Sequence, residues 1–380
     1  MTDAPPLNGL RVVEFAGIGP GPHAAMMLAD MGADVIRIDR PGKQAYHDPV
    51  TGRGRSSIDL DLKSPAGLAV AEAAVLAADI IIEGFRPGVM ERLGLGPDEM
   101  LARNPGLIYG RMTGWGQDGP LAQSAGHDIN YIALTGALDE IGVEGGPPIP
   151  PVNFVGDFGG GSTYLVIGIL LALLERTRSG RGQVVDAAIV DGAASLMAAM
   201  AGMRELIGAG RGRNALGGAS PTYRTYRCAD GAYLAIGAIE ERFWTKLADR
   251  LGLSAAERRR DAGNADALHR RLEALFLQAS AAEWIERIGL EDTCIAPVLT
   301  LEQAATHVHL VSRGTYRNCA GVIHPAPAPR LSRSPGVIAG PAPRPGEGGR
   351  EAFVRWGGAM ALLDALPTGD APSVESAKSE

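Results

Sequence analysis

Two ionisable side chains, His127 and Asp157, sit in glycine-rich stretches where the chain passes from loop to regular structure. The first stretch reads Gly126-His127-Asp128-Ile129-Asn130-Tyr131, and the second reads Asn153-Phe154-Val155-Gly156-Asp157-Phe158-Gly159-Gly160-Gly161. An imidazole and a carboxyl can share one job: one takes a proton from a carbon atom while the other returns one from the far side. Each residue also has a plainer reading. An aspartate ahead of an apolar helix, here expected to begin near Ser162, commonly caps it, and a histidine in a glycine-rich loop can be bonded only to its neighbours. Residues on loops at the ends of rigid elements are nevertheless disproportionately functional.

The elements that must hold this pair begin with a βαβ unit: a strand at Leu10 to Phe15, a helix from about His23 to Met31, and a strand at Asp34 to Asp39. The turn between, Gly17-Ile18-Gly19-Pro20-Gly21-Pro22, and the acidic Asp39 imitate a dinucleotide fingerprint. The spacing is G-x-G-x-G with two prolines, however, so the case for a nicotinamide cofactor is weak. Further strands are expected at Ser57 to Lys63, Asp79 to Glu83 and Leu107 to Thr113, with Ser64 capping the helix that runs to Ala78. Strands alternating with helices imply a parallel sheet whose ligand-binding loops gather at the strands' carboxyl ends. Arg40, Lys63 and Arg86 each follow a strand there, and three cations at such positions favour a phosphate-bearing ligand.

Beyond Asp157 the pattern predicts a buried helix to Thr177, whose apolar run from Tyr164 to Leu174 is too short to span a bilayer. A strand from Gln183 to Val190 follows, and then a long Ala- and Met-rich helix from Asp191 to Leu206 that is apolar all round, as for burial between layers or subunits. The domain reading is 1–207 as a large Rossmann-like domain, 208–222 as a linker, 223–324 as a small α+β domain, 325–366 as a segment returning to the large domain, and 367–380 as a disordered tail. The small domain opens on a hairpin turning at Asp230-Gly231.

With a net charge of −7, the chain lacks the basic surface that non-specific nucleic-acid binding needs. Three cysteines without C-x-x-C spacing argue against a disulfide framework or a zinc site and fit a reducing cytosol. The N-terminus carries no secretory pattern. A cytoplasmic protein with neither a membrane nor a nucleic-acid partner is expected, with no metal.

Taken together, these motifs resemble those of the α-methylacyl-CoA racemases, members of the family III CoA-transferase fold family. The resemblance extends to about Ser334 and rests on Gly17 to His23, Gly126 to Tyr131, Asn153 to Gly161 and Gly237 to Glu240. It implies an interlocked homodimer acting on an acyl-CoA, which is substrate, so that no separate cofactor is required. It also implies that His127 and Asp157 are the acid/base residues and that Glu240 of the partner subunit hydrogen-bonds to His127. The segments implied to hold CoA are Arg40, then Leu60, Asp61, Leu62 and Lys63, then Gly84, Phe85, Arg86, Pro87, Gly88 and Val89, and finally Gly126, Asp128, Ile129, Asn130 and Tyr131. Racemisation of a 2-methylacyl thioester would pass through an enolate, for whose oxygen the N–H groups of Asp157 and Phe158 are candidate donors. Glycines 159 to 161 would let the backbone approach the thioester. The competing expectation is a CoA-transferase with Asp157 as nucleophile.

Overall fold

A computed structural model describes residues 3–42, 48–261 and 263–367. Except for Pro367, the tail expected at 367–380 lies outside the described residues. The chain forms two compact units, one made of 1–124, 161–188 and 326–380, the other of 125–160 and 189–325. The segments 125–160 and 189–207, which the sequence reading assigned to the large domain, therefore group with the second unit. The reason is local packing: helix α5 (Asp128–Leu134) lies on α7 (Ile189–Leu196), and Ile132, Ala137 and Ala193 form a small buried cluster.

The first unit is built on six parallel strands: β1 (Arg11–Phe15), β2 (Asp34–Asp39), β3 (Arg55–Asp59), β4 (Ile80–Glu83), β5 (Ile108–Thr113) and β6 (Val184–Ala188). Their order, β3-β2-β1-β4-β5-β6, reverses direction between β1 and β4, the topological switch at which such sheets take ligands. Near-continuous Val and Ile in β1, β2 and β4 reflect burial on both faces. Helix α1 (Pro20–Asp30) starts on two prolines after Gly19. Helix α2 (Pro65–Leu76) is capped by Ser64, whose Oγ accepts the Gly67 N–H at 3.0 Å, as read from the sequence. Strand β3 ends at Asp59, earlier than the expected Lys63, so Asp61 to Lys63 form a turn rather than strand. Two short helices, α3 (Val89–Arg92) and α4 (Pro97–Arg103), lead to β5.

Helix α6 (Thr163–Ser179) packs Leu165 and Ile169 over Gly110 of β5. It continues without a break from a π-helix, Phe154–Ser162. The combined helix has 26 residues and is long and apolar enough by length and composition to cross a membrane, which corrects the expectation from Tyr164 to Leu174 alone. Buried Leu165, Val166, Ile169 and Ala172 show one face of it serving as sheet cover instead.

In the second unit the long helix expected from Asp191 to Leu206 is two helices, α7 and α8 (Ala198–Ile207), broken at Met197. Asp191 lies inside α7 rather than capping it. The small antiparallel sheet comprises β7 (Tyr223–Arg227), β8 (Tyr233–Gly237) and β9 (Ile295–Pro297), with the expected hairpin at Asp230-Gly231. Amphipathic helices α9 (Glu241–Arg250), α10 (Ala265–Phe276) and α11 (Ala281–Ile288) cover it, burying Trp244, Leu247, Leu272, Phe276 and Trp284 with Tyr226 and Leu234.

Candidate active site

His127 is the N-cap of α5. Its backbone N–H donates to Asn130 Oδ1 at 3.0 Å, which sets the start of the helix and leaves the imidazole exposed. Tyr131, one turn on, donates its hydroxyl to the Gly126 carbonyl and closes the loop before the histidine. Asp157 is half-buried within the π-helix, not at a helix N-cap. One extra residue per turn aims side chains differently from an α-helix, and π-turns recur at functional sites. Asn153 Nδ2 contacts Asp157 Oδ2 at 3.4 Å.

Burial raises the Asp157 pKa above the ordinary 3.8. The Asn153 hydrogen bond pulls it down, the Asp128 charge pushes it up, and His127 pulls it down. His127 and Asp157 lie in the same compact unit, and the histidine is among the groups that act on the Asp157 carboxyl. Asp128, expected among the CoA-binding residues, is buried instead. Its Oδ1 accepts the Asp157 N–H at 2.7 Å.

That bond overturns the expected enolate donors. The Asp157 N–H is already engaged by Asp128, and the Phe158 N–H donates to the Asn153 carbonyl at 3.2 Å. Gly160 also has another purpose than backbone approach to a thioester, since a Cβ there would lie 2.6 Å from the Ala193 nitrogen; it lets α7 pack against the π-helix.

Glu240 is the exposed N-cap of α9, and among the described residues no hydrogen bond joins it to His127. It sits near Cys294, whose pKa burial raises first and the Glu240 charge second. An open groove of about 1110 Å³ lies beside it, with Gly237, Cys294, Arg224 and His269 in its walls.

On the first unit, Arg40 immediately follows β2, Lys63 follows β3 and Arg86 follows β4, all three exposed. Asp61 is exposed, and its carboxylate accepts the Lys63 N–H at 3.0 Å. Leu60, by contrast, is 1% exposed and belongs to the core, so its side chain is not available to a ligand. Phe85 is half-buried with its ring edge-on to Phe15. The turn Gly84 to Val89 is anchored by residues the sequence reading passed over. Buried Arg111 donates to Glu83 Oε1 and Glu91 Oε1, both at 2.8 Å, Glu83 Oε2 accepts the Phe85 N–H at 2.8 Å, and Gln123 Nε2 donates to the Pro87 carbonyl at 3.1 Å. An arginine in mid-strand beside a Glu-ended strand was the available signal.

Asp39, the candidate ribose ligand of a dinucleotide, is buried and committed: Oδ2 accepts the Ser57 hydroxyl at 2.6 Å and Oδ1 pairs with Arg37 at 2.9 Å. Among the described residues no group of three His, Cys, Asp or Glu is placed to hold a metal ion.

The chain is 44% identical to the α-methylacyl-CoA racemase of Mus musculus over 336 residues, covering 87% of this chain and 88% of the mouse protein. The human α-methylacyl-CoA racemase is 43% identical over the same length. A succinyl-CoA–D-citramalate CoA-transferase of Chloroflexus aurantiacus is 37% identical over 65% of each chain. Among solved structures, a CaiB/BaiF family protein from Brucella suis superposes with a TM-score of 0.81 at 27% identity, covering 93% of this chain and all of that one. The model of CoA-transferase family III matches residues 7–348, and the chain belongs to that family.

Proposed function

We propose that the protein is an α-methylacyl-CoA racemase, interconverting (2R)- and (2S)-2-methylacyl-CoA by proton transfer through an enolate. The structural observation that carries this reading is an exposed His127 in the same compact unit as a half-buried Asp157, whose carboxyl burial holds above its ordinary value. In one direction the imidazole takes the α-proton while protonated Asp157 delivers one; in the other, carboxylate and imidazolium exchange roles. The similarity to the mouse and human racemases supports the same reading. Exposed Arg40, Lys63 and Arg86, on the first unit, are cations of the kind the CoA phosphates require. Phe154, 69% exposed and one turn before Asp157, offers an apolar surface to the acyl chain.

The working form is a homodimer, with Glu240 reaching His127 of the other chain. Two uncovered apolar faces support it. On α6, Ile167, Leu170, Leu171 and Leu174 are 44%, 43%, 61% and 60% exposed at the i, i+3, i+4, i+7 spacing of one helix face. On α8 no residue is buried, and Leu206 is 83% exposed. Free Cys228, Cys294 and Cys319 support a reducing, cytoplasmic setting.

His127→Ala and Asp157→Asn should each lower racemisation by about 10²–10⁴-fold. A CoA-transferase would use Asp157 as a nucleophile and has no need of a base at 127. A His127→Ala protein that still moves CoA between carboxylic acids at the wild-type rate therefore contradicts the racemase reading.

A further inference from the structure

We propose that Asp128 is a positioning residue for the reaction: buried at the start of α5, it grips the backbone of Asp157 and holds the acid/base carboxyl beside its own negative charge. This rests on the two-base reading above. The geometry is tight. Asp128 is 8% exposed, its Oδ1 accepts the Asp157 N–H at 2.7 Å, and its Oδ2 is buried with no hydrogen-bond partner among the described residues. The approach demands glycine at 156, where a Cβ would stand 2.2 Å from Asp128 Oδ1.

A residue needed only to cap the Asp157 N–H would serve as well as asparagine, whose amide oxygen accepts the same bond with no charge to bury. A buried carboxylate oxygen left without a donor costs stability. The charge therefore has a use other than holding the fold, and Asp157 is the ionisable carboxyl it faces. Asp128 is one of the two causes that raise the Asp157 pKa, after burial. Other described groups also surround Asp157. α5 contributes His127 and Tyr131, the π-helix contributes Asn153, and α7 packs here through uncharged Gly192 and Ala193. By favouring a protonated Asp157, Asp128 populates the state in which imidazole is neutral and Asp157 is the acid, without which one direction of the reaction starves.

The test is Asp128→Asn, which keeps the acceptor and removes the charge. Its thermal midpoint should match or exceed that of the wild type. The acid limb of its pH profile for α-proton exchange from a 2-methylacyl-CoA should move to lower pH. Its kcat should fall about tenfold, the size of a modest acid/base defect, with KM changed less than twofold. Asp128→Ala, which also frees the Asp157 backbone, should lose about 10²-fold. Should the asparagine variant not fold, Asp128→Ser supplies a second neutral acceptor for the same profile. An Asp128→Asn enzyme with the wild-type rate and an unmoved acid limb overturns the proposal while leaving the two-base reading intact, provided His127→Ala and Asp157→Asn lose racemisation. If those two variants still racemise at the wild-type rate, the underlying reading fails and this proposal with it.

Discussion

A carboxyl that must donate a proton in one direction and accept one in the other serves best when its affinity lies close to that of its partner. Burial moves Asp157 toward that condition, and the same shift ties catalysis to stability. A raised pKa means that the folded state binds the proton more tightly than the unfolded one. Stability on this account is fully present below the ordinary carboxyl value of 3.8 and falls as pH rises through the folded pKa. Asp157→Asn should therefore melt higher than the wild type at pH 7, and the gap should close below about pH 4; thermal unfolding followed across that range checks the sign. His127 and Asp157 stand out as candidates because both sit in long glycine-rich motifs. Asp128 does not, since nothing in a sequence separates a carboxylate facing solvent from one facing a backbone N–H, and the choice is made by how α5 packs on the π-helix.

At the scale of elements, local pattern and tertiary packing divide the outcome. The βαβ unit and the Ser64 cap follow from periodicity and capping chemistry, which are local, and the sequence reading placed them well. The π-helix did not announce itself. Its stretch Val155-Gly156-Asp157-Phe158-Gly159-Gly160 reads as a loop by glycine content, yet it is helical, with Gly156 against Asp128 and Gly160 against Ala193. The break at Met197 was equally silent, because an Ala- and Met-rich run carries no helix stop signal. The Gly84 to Val89 turn depends on Arg111, which is paired with Glu83 and Glu91 and almost fully buried. Arg111→Ala would leave Glu83, 1% exposed, without its cation, and should cost about 3–5 kcal/mol in urea unfolding. Among molecules that remain folded, KM for the CoA ester should rise more than kcat falls, because the turn rather than the acid/base pair is loosened. A larger fall in kcat than rise in KM would detach this turn from CoA binding.

For the molecule as a whole, the exposed apolar stripe on α6 is the feature a single chain does not explain. Leu171→Glu or Leu174→Glu should shift sedimentation from dimer to monomer. Racemase activity should fall with it if Glu240 works on the histidine of the other chain. A fully active monomer would refute both the dimer and that role for Glu240. The chain belongs to CoA-transferase family III, and on the two-base reading proposed above a base at 127 separates racemisation from CoA transfer. The most direct test follows a single-configuration 2-methylacyl-CoA by proton NMR in deuterated water with the purified protein and no acceptor acid. A two-base racemase predicts that the α-proton signal is lost together with optical purity, and that His127→Ala slows the loss of optical purity by about 10²–10⁴-fold, leaving α-proton exchange only for the configuration whose proton faces Asp157. An α-proton that stays in place until a free carboxylic acid is added, followed by exchange of CoA between the acids, would contradict the account.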